Sequence, residues 1–496
     1  QDRDKMPIMG LAGAEITFSR NDGVAFYGTI TTVSESPARA GVLWVGTDDG
    51  FLQVSRDGGK TWKNVAAKVP GVPKGTYVSR VEASHFEEGT CYVAFDGHRG
   101  GDFKPYVFAT ADFGETWVNI SSGIPEGSTL SVVREHPKNA NLLFIGTERG
   151  AFFSIDRGGH WTRIKGNLPI VPVDDIQVHP RDNDLLFATH GRSVYILDSI
   201  SCLQYLTKDV VKAPAYLFEI RPATLFSPYS HKASLGDKFF VAPNPPYGAI
   251  IDYSLSGEPK GDVKLVVQDA AGNFVREIAG TKNVGINRVA WNLRYAQPGP
   301  APEGPPARGF AAAAQGPSVL PGEYRVALKA DGQEMAKTVK VEGDPRMDVT
   351  FEARKAQHDA LLAIYKLQPT LTAIETTVNS LSKELSELQG TLGKMTGVAA
   401  AVLDAVKAVA RDVNAIQVEN ASVRGQLTAV NRAIASPTGT VPTAKQLQQI
   451  QDASGKLKPM IEKANAIIDV EWPRLNKLMN ENGVPHLLPV PKIKTP

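Results

Sequence analysis

Three aspartates recur in one local sequence pattern and are the first candidates for acid chemistry. The pattern is Ser/Thr-x-Asp-x-Gly-x-x-Trp, and it occurs at 55–62, 110–117 and 154–161. A pair of carboxylates flanking a glycosidic bond can hydrolyse it. A catalytic group is rarely needed in every repeat, however, whereas a turn is. We therefore interpret Asp57, Asp112 and Asp156 as turn-formers that accept backbone N–H bonds.

The tryptophan that ends each copy has a matching structural role. We predict that Trp62, Trp117 and Trp161 begin an outer strand and pack between neighbouring sheets, where their large apolar area is useful. The glycine of the pattern accommodates a backbone with positive φ. The three aspartates and the three tryptophans are thus assigned to the scaffold.

The spacing of the copies predicts the scaffold itself. The tryptophans lie 55 and 44 residues apart, and each repeat contains four strand-like runs. Such periods are typical of β-propeller blades. We predict about four blades over residues 29–200, after a lead-in segment at 1–28 that contributes to an earlier blade. The fourth unit has no fourth strand of its own, so we expect a ring larger than this chain.

A second group of polar residues lies in the turns between the second and third strands of each blade. These turns share a face, opposite the aspartate turns, with the connections between blades, and propeller ligands commonly gather around the channel on one such face. The candidate ligand-binding residues are Asp48, Asp49, Asp96, His98, Arg99, Asp102, Glu148, Arg149, His190 and Arg192, with Tyr77 and Asp174 from the blade connections.

The run "DGHRGGDFKPY" is the most suggestive of these turns. It is several residues longer than the corresponding "DDG" of the first blade. Long loops on a rigid scaffold are favoured places for binding. The alternative is that Asp96 and Asp102 only cap turns while Arg99 pairs with them at the surface.

No other pattern points to catalysis. Asp48, Asp49, Asp96 and Glu148 allow a carboxylate pair, but the sequence does not fix their separation. The arginines at 80, 99, 149 and 192 are too loosely placed for a sialidase-like triad, and the histidines at 85, 98 and 190 lack metal-ligand spacing. No phosphate-binding loop and no Gly-x-Ser-x-Gly motif occurs. We therefore expect no metal and no cofactor.

Two further regions follow a linker at 201–214. Alternating strands over 215–345, with a Pro/Gly/Ala-rich loop at 297–321, predict a fibronectin- or immunoglobulin-like β-sandwich. Leucines, isoleucines and valines repeating at steps of three and four over 350–482 predict an antiparallel three-helix bundle. Residues 483–496 form a tail. The predicted fold class is therefore multidomain and mainly β.

Composition restricts the partners. The 496 residues include 42% hydrophobic and 21% charged residues, with a net charge of +2. This balance argues against nucleic-acid binding, and no run is long and apolar enough for a membrane span. Cys91 and Cys202 can form at most one disulfide, and two buried thiols are the favoured alternative.

The repeated pattern resembles the Asp-box, or BNR, repeat of sialidases, sortilin-like receptors and xyloglucanase-type glycoside hydrolases. The surrounding sequence resembles the latter half of bacterial sortilin-like propeller proteins. The matching runs include "LWVGTDDG", "LLFIGTERG" and "ATHGRSVYILDSIS". The resemblance implies a secreted, periplasmic or cell-surface protein, with a signal peptide upstream of residue 1. Many such proteins carry a glycosyl hydrolase label on repeat similarity alone.

Three hypotheses remain open at this point. The favoured one is a binding or scaffold protein for a polysaccharide or polypeptide. The second is a glycoside hydrolase of xyloglucanase type that uses two acidic residues of the propeller face. The third is a structural subunit that forms a homo-oligomer through its helical domain. The expected partner is the N-terminal portion of the same precursor, which would complete the ring.

Overall fold

The protein is mainly β, with many antiparallel sheets and a C-terminal helical region. The structure, a computed structural model, describes residues 7–8, 11–15, 28–227, 236, 238–297, 316–435, 440–484 and 487–493. Most of the predicted lead-in and of the predicted loop at 297–321 lie outside these residues. The chain divides into two compact units, of which the first comprises Gln1–Glu219, Asp252–Glu258 and Lys282–Arg288.

Four antiparallel sheets follow one another in the first unit, after the short strands β1 (Pro7–Ile8) and β2 (Leu11–Ala12) and the 3-10 turn Gly13–Glu15. In each sheet, strands adjacent in sequence are adjacent in space. Sheet 1 contains β3 (Ile30–Glu35), β4 (Leu43–Thr47), β5 (Leu52–Ser55) and β6 (Lys63–Asn64). Sheet 2 contains β7 (Tyr77–Ala83), β8 (Cys91–Asp96), β9 (Tyr106–Thr110) and β10 (Val118–Asn119).

Sheets 3 and 4 continue the series. Sheet 3 contains β11 (Leu130–His136), β12 (Asn139–Thr147), β13 (Gly150–Ser154) and β14 (Thr162–Arg163), and sheet 4 contains β15 (Val173–Val178), β16 (Leu185–Thr189) and β17 (Val194–Leu197). Short 3-10 helices at Ala66–Lys68 and His98–Gly100 lie in the connections. Sheet 4 has three strands among the described residues, as the missing fourth run in the sequence predicts.

Consecutive sheets stack through shared hydrophobic clusters. Trp44 of sheet 1 packs with residues of sheet 2, Tyr92 of sheet 2 with residues of sheet 3, and Phe144 of sheet 3 with residues of sheet 4. Glycines permit the close approach of two of these pairs. A Cβ on Gly46 would lie 2.4 Å from Val78 Cγ1, and a Cβ on Gly146 would lie 2.4 Å from the Val173 carbonyl oxygen. Face-to-face stacking of four-stranded meanders is the packing found between propeller blades.

The first strands of neighbouring sheets are also linked by hydrogen bonds. Thr31 Oγ1 donates to the Val78 carbonyl at 2.7 Å, Ser79 Oγ donates to the Leu130 carbonyl at 2.7 Å, and Arg134 Nε donates to the Ile176 carbonyl at 2.8 Å. Links of this kind bring β3, β7, β11 and β15 together.

A charged group lies where three first strands meet, and we call it the arginine cluster: Arg80, Glu82, Arg134 and Asp175. Arg134 Nη1 donates to Glu82 Oε2 at 2.6 Å, and its Nη2 donates to Asp175 Oδ1 at 3.2 Å. Arg80 Nη2 donates to the same Asp175 oxygen at 2.8 Å. Burial raises the pKa of Glu82, against the opposing effect of Arg134. The cluster therefore ties sheets 2, 3 and 4 at their first strands.

The three aspartate turns, at 55–62, 110–117 and 154–161, share one hydrogen-bond pattern. In the second turn, Thr116 N and Thr116 Oγ1 donate to the two Asp112 carboxylate oxygens at 2.9 and 2.6 Å, and Thr110 Oγ donates at 2.8 Å. Asp57 has the corresponding contacts with Thr61 and Ser55. Asp156 has them with His160 and Ser154. Each carboxylate is thus surrounded by donors of its own turn.

The end of sheet 4 is covered by residues predicted as a linker. Residues 201–214 contain two short helices, α1 (Ser201–Gln204) and α2 (Lys208–Lys212), and α1 buries Cys202 and Leu203 in the cluster shared with sheets 3 and 4. Cys91 and Cys202 are both free and buried.

The first unit also includes parts of the predicted sandwich region. Arg288 Nε and Nη2 donate to the two carboxylate oxygens of Asp252 at 2.7 and 2.9 Å. Its Nη1 and Nη2 also donate to the carbonyls of Asp198 and Ser199 at 2.5 and 2.6 Å. These bonds join strands from beyond residue 250 to the end of sheet 4, so the first unit is discontinuous in sequence.

Two sheets occupy residues 215–345. The order of the first is β18 (Ala215–Leu217), β20 (Ala249–Leu255), β23 (Gly285–Trp291). The order of the second is β19 (Ala223–Leu225), β25 (Gln333–Gly343), β24 (Gly322–Ala330), β21 (Lys264–Asp269), β22 (Phe274–Ala279), with β19 parallel to β25. The five-stranded sheet belongs to the second compact unit.

Long helices complete the second unit: α3 (Phe351–Leu392), α4 (Ala400–Ile434), α5 (Ala444–Ala466), a π-helical turn (Ile467–Glu471) and α6 (Trp472–Glu481). They bury the predicted stripe in one core, which includes Leu371, Leu385, Val413 and Leu457. Side-chain hydroxyls of Thr350 and Thr443 cap the starts of α3 and α5. No helix in the described ranges is long and apolar enough to cross a membrane.

The tryptophans test the stacking of the sheets. Trp117 is 8% exposed and packs edge-to-face on Trp44 of sheet 1 at 6.2 Å, whereas Trp62 is 42% exposed. We expect Trp117→Ala to lower the free energy of unfolding by about 3–5 kcal/mol and Trp62→Ala to lower it by about 1 kcal/mol or less. Urea unfolding of both variants measures the difference. Equal losses would contradict the packing described.

The aspartate turns predict a dependence of stability on acid. Hydrogen bonds from Thr116, foremost that of its hydroxyl, lower the pKa of Asp112 from 3.8 to about 2. A depressed folded-state pKa gives stability that is present above pH 3.8 and lost as pH falls toward 2. Asp112→Asn should flatten this part of the curve of unfolding free energy against pH. Glu126→Gln, an exposed carboxylate of the same sheet region, serves as the control and should leave the curve unchanged.

The arginine cluster predicts a large cost for losing one partner. The Arg134 side chain is 17% exposed and that of Glu82 is 8% exposed. Arg134→Met should lower the free energy of unfolding by about 3–5 kcal/mol, because it leaves the buried Glu82 carboxylate without its cation. Arg181→Met removes an arginine that is 82% exposed beside Asp182 and should cost about 1 kcal/mol or less. Similar losses in denaturant titrations of the two variants would refute the assignment.

Candidate functional site

The predicted ligand-binding residues lie at one end of sheets 1 to 4. We call this end the loop face: the turns β4–β5, β8–β9, β12–β13 and β16–β17, together with the residues that begin β7 and β15. Because neighbouring strands are antiparallel, these turns and strand starts lie at the same end of each sheet. The aspartate turns lie at the opposite end.

Two contacts bring predicted residues from different segments together. The Arg99 guanidinium lies over the Tyr77 ring, 4.9 Å from its centroid, so the β8–β9 turn meets the start of β7. His190 Nδ1 lies 3.1 Å from Asp174 Oδ2, so the β16–β17 turn meets the start of β15. A stacked guanidinium and a phenol ring can bind sugar rings or peptide groups.

The two carboxylates of the first sheet hold backbone and side-chain donors of the scaffold. Asp48 Oδ1 accepts from the backbone N–H groups of Gly28 and Thr29 at 2.9 and 2.8 Å. Asp49 is 2% exposed, and Thr47 Oγ1 donates to its Oδ1 at 2.5 Å. Both side chains are therefore used to fix the turn and the start of β3.

The long β8–β9 turn is ordered by its own aspartates. Asp96 Oδ1 accepts from His98 N at 3.0 Å, and Asp96 Oδ2 lies 2.6 Å from His98 Nδ1. The Tyr106 hydroxyl donates to Asp102 Oδ2 at 2.6 Å. Burial, reinforced by this bond to Asp102, raises the pKa of Tyr106 to about 12. The turn is thus a fixed platform that presents His98 and Arg99 to solvent.

Three candidates remain exposed without such contacts among the described residues. The side chains of Glu148, Arg149 and Arg192 are exposed in the turns of sheets 3 and 4. Nothing in the described residues joins a carboxylate of one sheet to that of another at this face. No group of three or more His, Cys, Asp or Glu side chains in this part of the chain is arranged to hold a metal ion.

The arginine cluster is the feature that the sequence did not reveal. Arg80 lies three residues into β7 from Tyr77, and Asp175 follows Asp174 in β15. The cluster therefore continues inward from the two loop-face contacts along the first strands. In the sequence, Arg80 stands out only as one of the arginines too loosely placed for a triad, and no local pattern marks Glu82, Arg134 or Asp175.

Comparison with known proteins gives short or distant matches. No protein-family model matches the chain. An oligoxyloglucan-reducing end-specific xyloglucanase from Emericella nidulans is 37% identical over 82 residues, which cover 16% of this chain and 9% of that protein. The matched segment therefore spans about a tenth of that curated relative.

Solved structures that align with the chain include GH74 enzymes and YCF48. A GH74 enzyme from Niastella koreensis aligns with a TM-score of 0.28 and 14% identity, covering 46% of this chain and 28% of that one. A GH74 xyloglucanase from Xanthomonas campestris gives 0.29 and 13%, covering 62% and 45%. YCF48 from Cyanidioschyzon merolae gives 0.24 and 15%, covering 34% and 57%. These scores do not establish a shared overall architecture.

Proposed function

We propose that the loop face binds a polysaccharide and does not hydrolyse it. The observation that carries the proposal is that every candidate carboxylate of this face except Glu148 already holds a partner among the described residues. Asp48, Asp49, Asp96 and Asp102 each hold a turn or a strand start through short hydrogen bonds. A glycosidase needs one carboxyl group free to protonate the linkage and another free to attack or to activate water.

The groups left open at the loop face suit binding. Arg99 over Tyr77 supplies an aromatic surface with hydrogen-bond donors, while His190 with Asp174 adds a donor–acceptor pair. Sugars have apolar ring faces and many hydroxyl groups, so a mixed surface of this kind matches them. The architecture that we propose around it is a partial propeller of four blades, a β-sandwich and a three-helix bundle.

The competing hypothesis is a glycoside hydrolase of xyloglucanase type. The segment matched by the Emericella nidulans xyloglucanase favours it. In that case two acidic residues of the loop face, among Asp48, Asp49, Asp96 and Glu148, would act together on a glucan. The structural-subunit hypothesis, with a homo-oligomer formed through the helical region, would leave the loop face without a ligand.

We also propose a partner for sheet 1. Trp117 and Trp161 pack against the preceding sheet, and Trp161 Nε1 donates to the Ile120 carbonyl of sheet 2 at 2.7 Å. Trp62 occupies the same position in sheet 1 and is 42% exposed. A further sheet, supplied by an N-terminal portion of the same precursor, would cover it.

We also propose that the protein acts outside the cytoplasm: secreted, periplasmic or at the cell surface.

A polysaccharide panel separates binding from hydrolysis. We expect at least one polysaccharide of the panel to retard the protein in affinity gels. The protein should release no reducing sugar from that polysaccharide. Tyr77→Ala should weaken binding about tenfold, because it removes the ring under Arg99. Lys60→Ala, an exposed change in the first aspartate turn at the opposite end, should leave the affinity unchanged.

If the protein releases sugar from xyloglucan, and Asp48→Ala or Asp96→Ala abolishes that release, the hydrolase hypothesis is correct. Binding that Lys60→Ala weakens as much as Tyr77→Ala does would remove the loop face as the site. Absence of binding to every glycan in the panel would overturn the proposed function.

A further inference from the structure

Arg80 is the least satisfied member of the arginine cluster. Its one hydrogen-bond partner among the described residues is Asp175 Oδ1, at 2.8 Å. That oxygen is shared with Arg134, which has Glu82 as a second carboxylate. The Arg80 Nε is buried without a partner in the described part of the chain. A guanidinium has five N–H donors, so most of this hydrogen-bonding capacity is unused.

The charge balance agrees with the hydrogen bonds. Burial lowers the pKa of Arg80, and the attraction of Asp175 does not fully offset that effect. Arg134, in β11 between β7 and β15, has Glu82, Asp175 and the Ile176 carbonyl as partners. The cation at Arg80 is thus under-compensated, and an added anion would stabilise it.

The position of Arg80 makes it reachable from the loop face. Its side chain is 23% exposed. Tyr77, three residues earlier in β7, carries Arg99 above its ring, and Asp174 precedes the Asp175 partner in β15. A ligand that covers Tyr77 and Asp174 would therefore reach the open side of Arg80.

We propose that Arg80 receives a carboxylate of the ligand, which makes the ligand a polysaccharide containing uronic acid. The inference rests on the proposed function and names the substrate class of that same site. Arg80 supplies the charge-assisted hydrogen bonds that select a carboxylate over its ester. Tyr77 and Asp174 contact the neutral part of the sugar.

The acidic groups of the loop face favour a uronate over an acidic polypeptide. Asp174 and Glu148 are exposed carboxylates, and they accept hydrogen bonds from sugar hydroxyls. The ionised side chains of an acidic peptide are acceptors only and offer no such donors. A uronate unit combines one carboxylate for Arg80 with hydroxyl donors for its surroundings.

The test compares a polyuronate with its own ester. Polygalacturonate, fully methyl-esterified polygalacturonate, neutral xyloglucan and poly-glutamate are titrated into the intact protein by calorimetry at fixed ionic strength. We expect polygalacturonate to bind at least about tenfold more tightly than the ester. Arg80→Gln should remove that preference while binding to the ester persists, and Arg80→Lys should retain part of it. Glu126→Gln is the control variant.

The outcomes separate this inference from the proposed function. Equal binding of acid and ester by the unmodified protein overturns the role of Arg80 and leaves polysaccharide binding intact. Binding of none of the three polysaccharides overturns both. Binding of poly-glutamate without polygalacturonate assigns the face to an acidic polypeptide instead and refutes the proposal. Should Arg80→Gln fail to fold, the preference of the unmodified protein and of Arg80→Lys decides the question.

Discussion

One guanidinium holds three consecutive sheets in a fixed relation. Arg134, in the first strand of sheet 3, donates to Glu82 of sheet 2 and to both Asp175 and the Ile176 carbonyl of sheet 4. A buried charge is tolerated only with partners in good geometry. The first strands must therefore meet at one spacing and register, and the residues that begin them at the loop face are positioned by the same constraint.

The parts of the fold with local periodicity were predictable. The aspartate turns close within eight residues, so their sequence contains the groups that contact the aspartate carboxylate. The helical stripe repeats at steps of three and four, and its members, such as Ile374 and Val378, lie in the core. Strand order in sheets 1 to 4 followed from the same local reasoning, because each connection joins neighbours.

The arginine cluster could not be predicted in this way. Arg80 and Asp175 are 95 residues apart, and no alternation rule places them on the same side. Each first strand has a register shift near its start, at Val78/Arg80 in β7 and at Val173/Asp175 in β15. A bulge of this kind changes which side chains face each side of the sheet. The sequence-based candidates therefore came from the turns and the blade connections, and the cluster residues further along the first strands were missed.

Carboxylates stabilise the turns at both ends of the sheets in the same way. At the aspartate turns and in the first two turns of the loop face, they bind backbone or hydroxyl donors and give the connection a single conformation. Abundant acidic residues at the loop face are thus poor evidence for hydrolysis by themselves. What distinguishes the loop face is the stacking of Arg99 on Tyr77 and the pairing of His190 with Asp174.

The contacts of Arg288 with Asp252 and with the carbonyls of Asp198 and Ser199 bear on how the chain folds. Sheets 1 to 4 contain contacts close in sequence and can form early, as each hairpin leaves the ribosome. The carbonyls at 198 and 199 acquire their cation only after residue 288 has been synthesised, some 90 positions later. Long-range closure of this kind is slow relative to hairpin formation. A fragment that stops after sheet 4 would keep the four sheets and lose the bonds from Arg288 that complete the first unit.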